Sequence, residues 1–414
     1  MRKREQILLF LFFLFAARWI EAQTGTLNYY LQQALSNNPQ LNDFRNQAQS
    51  TAFDSLKIKA TRKPQVNMLG QILVAPNVNG YGYDNAVTNS GNYELLMGVS
   101  QNLFNKQILA PQYESLSLQR QAAGNSGVTT EHELTRDITS QYIQAYADII
   151  QIEHADAILQ LLTEESSVLK SLTEKGIYKT FDYTTFQVAL QSQEIILNQQ
   201  KFQYCSDIHA LNLLSGITDT ALPKLSPPSI TGMAPVGVSS SRFLVGFRID
   251  SLQISNRKLL TSVNYKPKLS WFADGGILGS QPAYLYRNFG TSFGLNFSLP
   301  IYDGKQKQLE FKKINLAENT RNSYQIFFKK QYQEQIATIM DEINENEKLL
   351  AQTKKQLALS EEQIRVGKNQ LNIGALPVSD FILAIRTGNE IKNSMSQLQI
   401  RHLLLLNELN YWNW

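Results

Sequence analysis

The chain of 414 residues has one cysteine, Cys205, and four histidines. A lone thiol cannot close an internal disulfide, so nothing in the fold is expected to rest on one. No cysteine follows the N-terminal segment to accept a lipid. Past residue 22 no apolar run reaches the ~20 residues a spanning helix needs. A membrane crossing would therefore have to be made by β-strands. His132, His154, His209 and His402 lie on predicted helices, without an acidic or histidine partner at metal-ligand spacing. His132-Glu133 lacks the second histidine of a zinc motif. There is no Gly-x4-Gly-Lys-Ser/Thr phosphate cradle, and Gly80-Tyr81-Gly82 opens no helix. The sequence thus predicts no enzyme, no catalytic residue, no metal and no cofactor, and energy for any transport must come from another protein. Charge excess is missing as well: the formal net charge is +4, which gives no electrostatic case for nucleic acid.

Arg2, Lys3 and Arg4 precede an apolar run from Ile7 to Ile20, and Ala22-Gln23 is a plausible cleavage point. Residues 1–22 are read as a secretory signal peptide rather than an anchor, because the run is too short to span. Its removal takes away Arg2, Lys3, Arg4 and Arg18 with Glu5 and Glu21, which leaves the mature chain near +2.

What is abundant is a seven-residue apolar repeat. Ile336, Ile343, Leu350, Leu357 and Ile364 stand seven apart, with Tyr332 and Ile339 as a second pair at that spacing. Helices with such a repeat supercoil around partners. Gly374 and Pro377 interrupt the run, and Asp380 is placed to cap the next helix. There Ala384, Ile391, Leu398, Leu405 and Trp412 resume the spacing. The first half repeats this pattern. Ile138, Ala145, Ile152 and Leu159 step by seven, as do Ala155, Leu162 and Leu169. Gly176 breaks the run, Asp182 follows, and Tyr183, Leu190, Leu197, Tyr204 and Leu211 continue. Gly176 to Gly374 is 198 residues, and so is Asp182 to Asp380. The chain reads as a tandem duplication of one helical-hairpin unit.

Four stretches change to a period of two. Val66, Met68, Gly70, Ile72 and Val74 oppose Gln65, Asn67 and Gln71. Leu95, Met97 and Val99 oppose Glu94, Gly98 and Ser100. Leu269, Trp271, Ala273 and Ile277 alternate with Lys268, Ser270 and Asp274. Phe293, Leu295, Phe297 and Leu299 oppose Ser292, Gly294, Asn296 and Ser298. The expected organisation is a signal peptide (1–22) and a first structural repeat (23–215) with strands at about 64–75 and 93–104 and a hairpin at about 106–215. A linker (216–240) leads to a second repeat (241–414) with strands at about 267–278 and 291–302 and a hairpin at about 305–412. Leu27 to Ala60 is read as helical with a break at Asn38-Pro39. The long helix from 106 is expected to weaken near Pro111 and near Gly124 to Gly127. Leu103-Phe104-Asn105 is echoed by Ile301-Tyr302-Asp303.

Strands of about ten residues suit a bilayer core. Tyr81, Tyr83, Tyr93, Trp271, Tyr284 and Tyr286 are expected to gather at one end as an interfacial girdle. Four strands cannot close a barrel, and open edges are not tolerated in lipid, so a spanning chain must oligomerise. Three copies would supply about 12 strands, above the ~8 of the smallest barrels. The ~68 residues between Lys305 and Asn372 make a helix of ~100 Å at 1.5 Å per residue, which suggests a tube.

The order of signal peptide, helix, strand, loop, strand, long helix, Gly-x5-Asp turn and long helix, all repeated, resembles the TolC family of outer-membrane efflux proteins. Local matches are Leu31 to Leu41 (LQQALSNNPQL), Tyr265 to Gly276 (YKPKLSWFADGG), Phe297 to Gly304 (FSLPIYDG) and the two Gly-x5-Asp turns. The last two stretches look like members from Bacteroidetes-type bacteria. The resemblance implies a homotrimer: a 12-stranded β-barrel in outer-membrane lipid, continuous with a 12-helix α-barrel in the periplasm. It implies an exit duct served by a periplasmic adaptor (membrane fusion protein) and an inner-membrane transporter. Carried over, Gly176, Ile177 and Tyr178 with Gly374, Ala375 and Leu376 form the adaptor-docking tip. Asp182, Asp380 and Leu383 are the expected tunnel constriction. Leu371 and Leu376 stand where some members place a Tyr and an Arg that lock the tip, and Leu383 where some place another acid. Whether the gate is polar or apolar stays open.

Two other readings fit parts of this pattern. A periplasmic coiled-coil adaptor would carry one hairpin between soluble β-domains, and a trimeric surface structural protein would hold its strands at the C-terminus only. Strands in both halves favour the duct. A wide water-filled tunnel has no specific pocket, so drug, metal and protein export all remain compatible.

Overall fold

The structure is a computed structural model that describes residues 25–76, 78–82, 91–103, 106–219 and 221–414. The signal segment, Tyr83 and the Phe104-Asn105 part of the echo lie outside the described residues.

Two helices open the described chain, α1 (Leu27–Asn37) and α2 (Pro39–Ala60). Thr26 caps α1 by accepting from the Tyr29 amide. Strands β1 (Gln65–Val74) and β2 (Gly91–Asn102) lead into α3 (Lys106–Glu174) and α4 (Thr180–Ser215). The same order returns as α5 (Leu244–Val263), β3 (Lys268–Gly279), β4 (Phe289–Ser298), α6 (Gln306–Asn372) and α7 (Val378–Trp412). The α3 helix is one helix of 69 residues running through Pro111 and both glycines. The expected weakening there does not occur. A proline near a helix start removes few ladder bonds, and an internal glycine costs only ~1 kcal/mol against the packing of so long an element.

The chain forms two compact units, each drawn from both halves of the sequence: one of residues 1–42, 128–243 and 327–414, the other of residues 43–127 and 244–326. The first is helical. Its largest core packs Tyr30 and Ala34 of α1 on Ile138, Tyr142 and Ala145 of α3 and on Ile208 and Leu211 of α4. The segment after α4 is strapped onto this unit by side-chain amides. Asn410 accepts from the Met233 amide and donates to Thr231 O, and Asn413 does the same to Val236 and Ala234. Each amide thus serves as a strand-like partner for backbone that has no ladder of its own.

The second unit holds the sheet, all antiparallel in the order β1-β2-β3-β4. Beside it, α5 packs on the first turns of α3 and α6. Asn256 donates to Pro111 O at 2.9 Å, and Arg257 pairs with Glu310 at 3.0 Å. The register decides the character of the two sheet faces. Val66, Val99, Ala273 and Phe293 form one cross-strand row; Met68, Met97, Gly275 and Thr291 form the next on that face, then Gly70, Leu95, Ile277 and Phe289. The opposite face carries the rows Asn67, Gly98, Asp274, Ser292 and Gln65, Ser100, Phe272, Gly294. Leu69 and Leu96 share that second face, so its polarity is a majority. Ser292 donates to Asp274 at 2.8 Å. A Cβ on Gly294 would lie 2.7 Å from the Phe272 ring, so glycine is what admits that ring.

Of the aromatic residues expected at one end of the sheet, the described tyrosines gather there, Tyr81 lying in the β1–β2 connection, and Trp271 does not. Tyr93 pairs with Gly279 and Ile72 near the β1–β2 connection, and Tyr284 and Tyr286 sit in a 3-10 turn (Pro282–Arg287) between β3 and β4, at that same end. Trp271 pairs with Gln101 and Leu295 at the other end, where its indole N–H donates to Gln101 at 3.1 Å. Strand β3 runs opposite to β2, so its fourth residue lies beside the last residues of β2.

Candidate functional site

Both connections between long helices end in the same way, for a physical reason. Gly176 and Gly374 have φ of +77° and +74°, a conformation that costs most residues ~1–2 kcal/mol. That geometry lets the Ile177 amide reach back to Leu172 O and the Gly176 amide to Thr173 O. Ala375 and Gly374 repeat the two bonds to Gln370 O and Leu371 O. The last carbonyls of α3 and α6 are satisfied this way, in the paired Schellman pattern.

The two turns meet. A Cβ on Gly374 would fall 2.5 Å from Ile177 Cγ2, whereas Gly176 faces open space. The Tyr178 hydroxyl lies 2.9 Å from Leu371 O and 2.8 Å from Leu376 O, and its one proton donates to either. Burial first, then the charge of Asp182, holds the phenol above its ordinary range. Beneath these contacts Leu162, Leu169, Phe186, Leu371, Val378, Phe381 and Ile385 form one buried cluster. A groove of about 260 Å³ runs beside it, between Val188 and Ser192 of α4 and Ile385 and Arg386 of α7.

The two aspartates differ. Asp182 accepts from the Lys179 amide at 3.1 Å and so completes the start of α4. Asp380 occupies the matching third position of α7, but the residue before that helix is Pro377, which has no N–H to give. Asp380 therefore does not cap, contrary to the expectation from its spacing; it is exposed beside Ser379, whose hydroxyl lies 3.2 Å from it. Leu383 is 61% exposed in a single chain. Ile177 and Ala375 are exposed and Leu376 is half-buried. The structure thus brings Gly176, Ile177, Tyr178, Gly374 and Leu376 together, with Asp182, Asp380 and Leu383 on the first turns of the helices that follow.

One ion pair near the turns was missed in the sequence. Lys368 on α6 lies 2.8 Å from Oε1 of Glu165 on α3, and Glu165 is 1% exposed. Glu164 adds a weaker contact at 3.4 Å. The available signal was that Glu165 sits three residues after Leu162 and four before Leu169, an acid in the middle of the apolar heptad face. His132 is stacked between Tyr411 and Trp414 at centroid distances of 5.0 and 4.2 Å and is held below its ordinary pKa by burial. Among the described residues no group of three or more His, Cys, Asp or Glu could hold a metal ion, and no helix is long and apolar enough to cross a membrane.

No family model matches the sequence, and no curated protein does. Solved structures match it over nearly its whole length. CusC, studied for transmembrane channel formation, is similar with a TM-score of 0.75 at 13% identity over 94% of this chain and 92% of its own. The outer membrane protein VceC of Vibrio cholerae gives 0.72 at 15% identity over 94% and 96%. The open state of the MtrE outer membrane channel of Neisseria gonorrhoeae gives 0.71 at 12% identity over 94% and 88%.

Proposed function

The chain has the fold of TolC-type outer-membrane channels; from it we infer that the protein is an outer-membrane exit duct, one component of a tripartite efflux or type I secretion system. The observation that carries this reading is the two-faced sheet. From Tyr93 through β2 to Leu103 just past it, one face carries Tyr93, Leu95, Met97, Val99 and Leu103, interrupted only by Gln101, over a span of ten residues. At ~3.4 Å per residue that is ~34 Å; tilted by about 40° it gives ~26 Å, the height of the apolar band on outer-membrane barrels. Phe293 in the middle row is 91% exposed in the single chain and Ile72 is 76% exposed, so lipid is the solvent this face fits.

Among the described residues β1 pairs only with β2 and β4 only with β3. Such open edges need partners in lipid. We propose that three copies close a 12-stranded barrel, with the polar sheet face lining water. The helices support the same assembly. Phe181, Val188, Ile195 and Phe202 of α4 stand seven apart and are all exposed in a single chain, as are Leu359 and Val366 of α6 and Ile373 just past its end. Apolar stripes at heptad spacing are seams for neighbouring helices, and further copies would cover them in a 12-helix periplasmic tunnel. The repeated element order and the 198-residue separation of the two turns support a tandem duplication of residues 23–215 in 241–414, joined by 216–240.

In this reading residues 1–22 direct export and are removed. The paired turns at Gly176–Tyr178 and Gly374–Leu376 are the surface for a periplasmic adaptor linked to an inner-membrane pump, and Asp182, Asp380 and Leu383 narrow the tunnel. The test is reconstitution in planar bilayers: purified protein should form channels with stable conductance, and loss of the gene should abolish export by an intact pump. Protein that never conducts and is recovered as soluble would contradict the reading.

A further inference from the structure

We propose that the end of the sheet from which the long helices depart is a basic rim that binds the headgroups of anionic phospholipids in the facing leaflet. The proposal rests on the reading of the apolar sheet face as lipid-exposed. The register brings the start of β1, the end of β2, the start of β3 and the end of β4 to one edge: Gln65 pairs with Ser100, Ser100 with Phe272, and Lys268 with Ser298. The chain that enters and leaves there, residues 57–63, 103–106, 257–268 and 299–313, holds thirteen lysines and arginines against two acids. The opposite connections, residues 75–90 and 280–288, hold one base, Arg287, and one acid, Asp84. The whole chain is nearly balanced at +4, so the excess belongs to this end.

Neither acid is available to the lysine ammonium groups. Asp303 accepts from the Lys305 and Lys307 amides at 2.9 and 2.8 Å, which closes the start of α6. Glu310 pairs with Arg257. Among the described residues none of the other bases of the rim pairs with a carboxylate. All but Lys266 and Lys307 are exposed, and those two are half-buried. The side chains that are held are held by neutral partners. Lys307 Nζ stands 5.0 Å over the Tyr265 ring, Lys258 Nζ 5.5 Å over the Phe311 ring, and Lys266 Nζ donates to Gln107 at 3.2 Å. These contacts keep the ammonium groups at the sheet edge and leave their charge uncompensated.

Position identifies the partner. The rim begins where the apolar face stops. Trp271 lies at that end, and Ile301 and Tyr302, just past β4, are almost fully exposed. Aromatic and basic residues at the edge of an apolar band are the pattern of a bilayer interface. The stems of Lys and Arg lie on apolar surface there while the charge reaches the headgroups. The headgroup layer adds ~5–7 Å on each side of the hydrocarbon core. Lys63, Lys106 and Lys268 lie within four residues of a strand end, so their charges fall in that layer. Clustered bases beside a membrane-embedded surface attract anionic headgroups. A soluble polyanion would gain nothing from the apolar band beside them.

The experiment offers the full-length protein, extracted in an uncharged detergent, equal amounts of phosphatidylglycerol and phosphatidylcholine with the same acyl chains. Native mass spectrometry counts the lipids retained. Wild type should retain phosphatidylglycerol over phosphatidylcholine by ~10-fold or more, and added salt should lower the ratio. Lys63→Gln, Lys106→Gln and Lys268→Gln combined should lose most of the preference, whereas Arg287→Gln at the other end should keep it. Equal retention of the two lipids by wild type would overturn the proposal, as would a preference that survives the triple variant. So would a preference abolished by inorganic phosphate at the same concentration, since the rim would then take a free anion. If the triple variant fails to assemble, the three single variants decide: each should lose part of the preference, and three unchanged ratios would overturn the proposal. Conductance in phosphatidylcholine bilayers separates the rim from the reading beneath it. Channels without a lipid preference overturn the rim alone; protein that neither conducts nor retains either lipid overturns both.

Discussion

Ile177 Cγ2 stands 2.5 Å from the point where a Cβ on Gly374 would sit, so the first interhelical turn fills the space that a side chain on the second would need. Gly176 has no such neighbour. Both positions carry the backbone cost of a left-handed residue, ~1–3 kcal/mol, but only Gly374 adds an overlap. Gly374→Ala should therefore destabilise the turns more than Gly176→Ala. Combining it with Ile177→Ala should recover part of the loss, a coupling that a double-mutant cycle measures. Equal losses at the two glycines would show that the turns do not touch. Replacement of either glycine by valine should leave assembly intact and abolish export; export at the wild-type level in both would exclude these turns as the docking surface.

Lys368 and Glu165 should behave as a half-buried pair, the carboxylate enclosed and the lysine side chain 37% exposed. Lys368→Met strands a carboxylate at a position 1% exposed, at a cost of ~3–5 kcal/mol. Lys368→Met combined with Glu165→Leu should cost much less, because both charges leave together. Denaturant unfolding of the extracted protein reads this directly, and a double variant as unstable as the single one would refute the pairing.

How much of this could be read in the sequence depends on the range of the interaction. The heptads needed no neighbours to be seen: Ile138, Ala145, Leu162, Leu169, Leu197, Leu211, Ile339, Ile343 and Leu405 are buried, because a period of seven places residues on one helix face wherever the partner lies. The strand alternation was equally local, and the register carried it across four strands without a slip. The aromatic girdle was misjudged at Trp271, since its end of the sheet depends on strand direction and not on spacing. Asp380 was misjudged as a cap although the obstacle, Pro377, was in plain sight: spacing alone cannot say whether an amide is there to be bonded. The Glu165–Lys368 pair, the Tyr178 bridge and the amide straps on residues 231–236 join positions far apart in the chain, and single side chains of that kind leave no period.

The sheet faces predict opposite outcomes at adjacent residues. Phe293→Lys places a charge on the middle row of the lipid-fitting face, at a cost of ~2–4 kcal/mol at a bilayer midplane. It should reduce recovery in the outer-membrane fraction. Ser292→Lys, on the polar face beside Asp274, should insert normally. Equal recovery of both would mean that this face does not meet lipid.

The constriction is tested by conductance. Leu383→Ala and Asp380→Ala should each raise single-channel conductance, the first by removing an apolar ring that dewets, the second by removing charges brought together by symmetry. Only Asp380→Ala should weaken cation selectivity. Unchanged conductance in both variants would place the narrowest point elsewhere.

The central claim is a membrane duct closed by three copies, and the mass of the assembly tests it most directly. Native mass spectrometry of the protein extracted in mild detergent from the outer-membrane fraction should give three copies of the chain. A one-copy mass from protein recovered in the soluble periplasmic fraction would contradict the account.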